Sequence, residues 1–175
     1  MNKTGKYIFG YAGGGLVFLV LIPAGIYYLS VFFDSILMIK IFPFQLIKVL
    51  LAFLFFIPGA VFMVWSNLDL FFKGKGGPAD VFNVAVSPRT LKLVISGPYH
   101  FSRNPMVLGA FLCYFGLSIL LDSLLCFLFL ILFLMLVVFY LKMTEEKRLL
   151  KDFGQEYLDY KKKVPMIFPY PRFKM

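Results

Sequence analysis

Four apolar runs separated by polar or charged segments organise the chain: Ile8 to Phe33, about Ile41 to Trp65, Pro105 to Leu121, and Leu124 to Leu141. At about 1.5 Å per helical residue, each reaches the roughly 17 residues or more needed to cross a hydrocarbon layer. The first run is too long for the apolar part of a cleaved signal peptide, which is about 7–15 residues. Gly10 and Gly14 lie one helical turn apart, which predicts close approach of another helix, and Pro23 with Gly25 predicts a kink near mid-membrane. In the second run, Lys48 is expected to reach back to the interface and Trp65 to anchor there. Only Asp122-Ser123 separates the third and fourth runs, which predicts a tight antiparallel hairpin with one of the two residues capping the fourth helix.

The expected fold class is therefore all-α, a polytopic membrane protein with about four transmembrane helices in a single domain over residues 1–175. Residues 1–65 would hold the first two helices. Residues 66–175 would hold a cytoplasmic loop, the hairpin and a C-terminal tail.

Composition supports a bilayer solvent, since 61% of residues are hydrophobic, 15% are charged and mean hydropathy is +0.85. Soluble domains average roughly 45–50% apolar and about 25% charged residues, so a soluble globular reading is excluded. The net charge of +9 then acts as an orientation signal, not as a nucleic-acid footprint. Apart from Lys40 and Lys48, every Lys and Arg lies before the first span, between Ser66 and Asn104, or from Lys142 onward. Both termini and the long middle segment should face the cytoplasm, across the inner membrane in a prokaryote. Cys113 and Cys126 sit inside apolar runs, so neither a disulfide framework nor a metal site is expected.

Two segments carry candidate chemistry. In Ser96 to Met106, Gly97-Pro98 marks a turn, and Asn104-Pro105 marks a helix start with Asn as cap and Pro at the first helical position. That helix end and Arg103 offer a site for a carboxylate or phosphate; alternatively, Arg103 anchors at the interface and Asn104 only caps. The tail starting Thr144-Glu145-Glu146 is expected to continue the fourth helix, because nothing breaks it before Gly154, with Tyr157 and Tyr160 on one face and Val164-Pro165 as its end. Glu145 and Glu146 can accept hydrogen bonds from a ligand, or pair with Lys142, Lys147 or Arg148. The hairpin should bring both segments together beside a lipid-accessible apolar wall, an arrangement suited to a zwitterionic cofactor and a lipidic substrate.

These residues resemble the isoprenylcysteine carboxyl methyltransferase family, which is related to the phospholipid N-methyltransferases. The resemblance covers roughly Phe72 to Pro169 and rests on four ordered motifs. They are Leu93-Val94-Ile95-Ser96-Gly97-Pro98-Tyr99, Arg103-Asn104-Pro105-Met106 with Gly109, Glu145-Glu146, and Phe153-Gly154-Gln155-Glu156-Tyr157 with Tyr160 and Val164-Pro165. Gly74-Lys75-Gly76-Gly77-Pro78 is similar to a glycine-rich segment of bacterial members. The resemblance implies S-adenosylmethionine as cofactor, bound by Leu91, Lys92, Leu93, Val94, Tyr99, Asn104, Pro105, Met106, Val107 and Glu145. Arg103 would face the reacting centre, and Glu146, or less readily His100, would serve where a base is needed.

The departures bear on the acceptor. Asn104 stands where members commonly have His, Val107 where Tyr is common, and Leu141 where the isoprenylcysteine enzymes carry a substrate-binding Arg. The expected reaction is methyl transfer to a lipophilic acceptor, an isoprenylcysteine-like carboxylate or a lipid amine or hydroxyl. Two alternatives stand beside it. One is a steroid-reductase-like enzyme using NADPH, which the glycine-rich loop does not favour because it follows no predicted strand. The other is a small transporter or scaffold, for which the third and fourth spans supply no ionisable path.

Overall fold

The computed structural model describes residues 3–37, 40–77, 80–81, 84–85 and 88–169. Six helices carry the fold: α1 Lys3–Leu16, α2 Ile22–Leu37, α3 Gln45–Phe72, α4 Pro105–Leu121, α5 Leu124–Met143 and α6 Glu145–Lys163. A π-helical turn, Val17–Leu21, joins α1 to α2, and a 3-10 turn, Gly97–His100, precedes α4. The strand content among the described residues is one short antiparallel pairing, Asp80–Val81 with Val84–Ala85, so the class is all-α. Gly10–Ser35, Gln45–Phe72 and Leu124–Lys163 each contain a stretch long and apolar enough to cross a membrane, and α4 is a shorter apolar helix.

The irregularity in the first span falls at the position that Pro23 dictates. Pro23 has no N–H, and its ring crowds the preceding turn, so the helix widens there. Ile22 N–H donates to the Val17 carbonyl five residues back. The next bond in that register would need the missing N–H of Pro23, which leaves the Phe18 carbonyl without a helical donor. The Tyr114 hydroxyl of α4 replaces it at 2.7 Å, pinning the first span to the body. Gly14 departs from expectation, because a Cβ placed there meets nothing within 4 Å.

Close approach occurs instead between α3 and α4, which run antiparallel with backbone against backbone. A Cβ on Gly59 would lie 2.7 Å from the Cys113 amide, one on Gly109 2.6 Å from the Gly59 carbonyl, and one on Gly116 2.6 Å from the Ala52 carbonyl. Without a hydrophobic driving force between helices in lipid, small residues that permit such contact supply the packing. α4 is therefore wedded to α3 more closely than to α5, its neighbour in the hairpin.

The far end of the hairpin is polar and internally satisfied. Asp122 adopts the left-handed conformation, φ 59°, and its Oδ1 accepts from the amides of Ile41 at 2.9 Å and Phe42 at 3.1 Å. Ser123 is the cap, accepting from the Cys126 amide, while its hydroxyl donates to Asp34 at 2.9 Å. Lys48 does not extend to the interface alone; its ammonium lies 3.9 Å from Asp122 Oδ2, with both side chains largely buried. Pairing at this depth offsets the cost of removing either charge from water.

Two boundaries differ from the sequence expectation. α3 runs on past Trp65 through Ser66, Asn67 and Asp69 to Phe72, so the connection to α4 is shorter than it reads. The fourth span breaks at Thr144, φ −117° and ψ −67°, whose hydroxyl bonds back to the Tyr140 carbonyl at 2.6 Å. Gly154, with non-helical φ 52° and ψ −123°, kinks α6 into two helical pieces, the second of which runs to Lys163 as expected.

Candidate functional site

The ends of α4 and α6 opposite the Asp122 turn meet as the sequence suggests, and they meet through side chains. Arg103 precedes α4, and its guanidinium forms an ion pair with Glu146 in the first turn of α6. Arg103 Nη1 also donates to the Tyr157 hydroxyl at 3.1 Å. Glu146 takes a second cation, the Lys161 ammonium at 2.6 Å. Arg103 and Glu146 keep only 9% and 11% of their side-chain surface exposed, so solvent screens this pair weakly. The Nε–H of Arg103 is buried and has no hydrogen-bond partner among the described residues. An unpaired buried donor is expensive, which marks this guanidinium as able to take one more acceptor.

Asn104 does not cap α4 with its side chain. Its amide group is used on the tail, donating to the Met166 carbonyl at 3.0 Å, and the same carbonyl accepts from the Asn104 backbone at 3.1 Å and from Ser102 Oγ at 3.3 Å. The Arg103 amide donates to Pro165 at 2.9 Å. The segment after Val164 therefore folds back, and Ile167 is buried with Leu108 and Leu141. Nothing in the local pattern signals this, because Val164-Pro165 reads only as a helix end.

Tyr99 lies between the helices. Its backbone carbonyl accepts from the Tyr160 hydroxyl at 2.6 Å, and its own hydroxyl is held well above its ordinary ionisation range by burial, by Glu145, and then by Tyr160, Asp69 and Tyr11. Two carboxylates from different elements, Glu145 on α6 and Asp69 on α3, thus act on one buried hydroxyl. Burial and then Glu146 likewise push Tyr157 up to about 12, against the opposing effect of Arg103. Tyr157 and Tyr160 share one face with ring centroids 6.4 Å apart, and Leu93 packs against them. Glu145 also lies 3.5 Å from Arg148.

Of the other candidates, Val94 and Pro105 are buried and Met106 and Val107 half-buried, with Val107 packed toward Leu108 and Leu141. Leu91 and Lys92 are exposed and stand outside the cluster, although the Leu91 amide ties the loop to Gly74 at 2.8 Å. His100 is exposed and edge-on to Phe101. Asp69 and Lys161 were missed by sequence reasoning. The polar residues Ser66, Asn67 and Asp69 directly after an apolar run were the available signal for Asp69, but they read as the start of a loop.

The cluster holds anionic groups around Tyr99, an unfilled guanidinium donor at Arg103, and apolar walls from α4 and α5. It can receive a small molecule bearing both charges and an apolar partner from the bilayer. A sequence model of the phospholipid methyltransferase family matches residues 47–156, which include every candidate site residue except Tyr157, Tyr160 and Lys161 on α6 and the tail beyond it. No curated protein matches the chain.

Proposed function

The chain belongs to the phospholipid methyltransferase family, and from that premise we propose that it transfers a methyl group from S-adenosylmethionine to a lipophilic acceptor at the cytoplasmic membrane face. The observation carrying this reading is the junction of Arg103 before α4 with Glu146 and Tyr157 on α6, beside Tyr99 and Glu145. The donor set fits the cofactor: carboxylates for its cationic groups and an unfilled buried Arg103 donor for its carboxylate. Bound there, S-adenosylmethionine supplies a methyl group activated by a sulfonium.

The protein's own contribution is positioning and exclusion of water. Glu146, held by both Arg103 and Lys161, is better suited to orienting the guanidinium than to removing a proton. Arg103, so fixed, presents its free Nε–H toward an anionic group of cofactor or acceptor. Glu145 and Tyr99 accept hydrogen bonds at the cofactor's amino or hydroxyl groups. The apolar faces of α4 and α5 let a lipidic acceptor enter from the side, and a nucleophile stripped of water attacks faster. Leu141, 5% exposed, packs with Leu108 and Ile167, so no cation stands at that position for an acceptor carboxylate. This favours an amine or hydroxyl acceptor.

Calorimetric titration of the detergent-purified protein with S-adenosylhomocysteine and, separately, NADPH tests the reading. Saturable binding of the first, weakened about 10-fold or more by Glu145→Gln, is expected, since a hydrogen bond to a charged group is worth about 1.5–3 kcal/mol. Binding of NADPH alone would overturn it. Orientation is tested by membrane-impermeant thiol labelling of intact cells in a Cys-free background: Lys40→Cys should label and Lys151→Cys should not.

A further inference from the structure

Asp69 is the polar group of this region that neither the motifs nor the proposed reaction uses. It is buried near the end of α3, where an unassisted carboxylate is costly. Gly97 is folded tightly over it. Gly97 has φ +62°, a region open to glycine at little cost, and a Cβ there would fall 2.2 Å from Asp69 Oδ2 and 3.2 Å from Trp65 Nε1. Lys73 bridges the same Oδ2 at 2.7 Å to Ser96 Oγ at 3.1 Å. The carboxylate is thus set against the turn Gly97–His100 that carries Tyr99.

Lys73 does not account for this placement by itself. Its side chain is 49% exposed, so the pair is solvent-screened and weak. A second feature points to a ligand: Arg103, nine-tenths buried and linked to the same cluster through Tyr157, keeps its Nε–H unfilled. A buried carboxylate under the turn that carries Tyr99, with an unused guanidinium donor at Arg103, matches the ammonium and the carboxylate of an amino-acid group.

Resting on the cofactor reading above, we propose that Asp69 is a further cofactor-binding residue, which with Glu145 holds the ammonium of the cofactor's amino-acid end beside Tyr99. Lys73 competes for the same carboxylate, so filling the site exchanges one ammonium for another at Asp69. α3 thereby contributes directly to the site through Asp69, and its tight seam with α4 fixes Asp69 relative to the start of α4 beside Arg103.

Calorimetry with two probes separates this role from a structural one. S-adenosylhomocysteine carries the ammonium and carboxylate but no sulfonium, and 5′-methylthioadenosine lacks the whole amino-acid end. Asp69→Asn should weaken the first by about tenfold or more and change the second by less than about twofold. Equal weakening of both would mean that Asp69 only holds the turn, and no weakening of either would mean that it faces no ligand; each result overturns the proposal. Lys73→Ala decides the matter if Asp69→Asn fails to fold. Removing the competing ammonium should raise S-adenosylhomocysteine affinity and leave that of 5′-methylthioadenosine unchanged, whereas an unchanged or lowered S-adenosylhomocysteine affinity would overturn the proposal. If wild-type protein binds neither probe, or Glu145→Gln binds S-adenosylhomocysteine as well as wild type, the cofactor reading itself falls.

Discussion

Arg103 and Glu146 are 43 residues apart in sequence and form a largely buried ion pair that joins the start of α4 to the start of α6. This contact closes the candidate site, because it ties the short loop before one membrane helix to the extension of another. Lys161 and Tyr157 complete the network from further along α6.

Removing one partner of this pair should cost far more than removing both. Glu146→Ala leaves the Arg103 charge buried without its main acceptor, for which about 3–5 kcal/mol is typical. Arg103→Met with Glu146→Leu should recover much of that loss while abolishing S-adenosylhomocysteine binding. Thermal unfolding in detergent, with and without ligand, measures both quantities.

The glycines should divide sharply. Gly109→Ala places a methyl group 2.6 Å from the Gly59 carbonyl, so α3 and α4 must separate, at roughly 1–3 kcal/mol or more. Gly14→Ala, with open space around it, should be neutral or slightly stabilising, since Ala is the better helix former. Midpoints of thermal denaturation for the two variants would show the contrast.

Alkaline pH should destabilise the fold in a defined window. Burial raises Tyr157 to about 12, against about 10 in the unfolded chain. Below pH 10 both states keep the proton; between about 10 and 12 only the unfolded chain releases it, so stability falls as pH rises. Tyr157→Phe should flatten that part of the profile, read as unfolding midpoint against pH.

Farnesylcysteine analogues should be poor acceptors, because Leu141 leaves their carboxylate without a matched cation and an unpaired buried carboxylate costs several kcal/mol. Transfer of labelled methyl groups to N-acetyl-farnesylcysteine should be slow beside transfer to a total lipid extract. Leu141→Arg should not rescue it, since the new charge would lie among Leu108 and Ile167 and destabilise the protein.

The elements of the fold were legible because each rests on local chemistry. The apolar runs, the start of α4 at Pro105, the turn at Asp122-Ser123, the disturbance at Pro23 and the shared face of Tyr157 and Tyr160 all follow from periodicity, ring geometry or capping over a few residues. The convergence of Arg103 with the Glu145-Glu146 pair followed from the hairpin alone.

What the chain alone could not reveal depends on neighbours distant in sequence. Asn104 abandons its expected cap because the Met166 carbonyl, brought back by the tail, competes for it. Lys48 finds Asp122 because α3 starts beside the hairpin turn. Gly109 is a seam residue only against Gly59, and Asp69 meets the turn before α4 only because α3 runs past Trp65 and Gly97 folds over its carboxylate. In lipid, apolarity determines which segments cross but says little about which faces meet, since lipid tails are as apolar as the helices. The pairing is decided by close packing and by buried polar groups seeking partners, and both exist only once the helices are assembled.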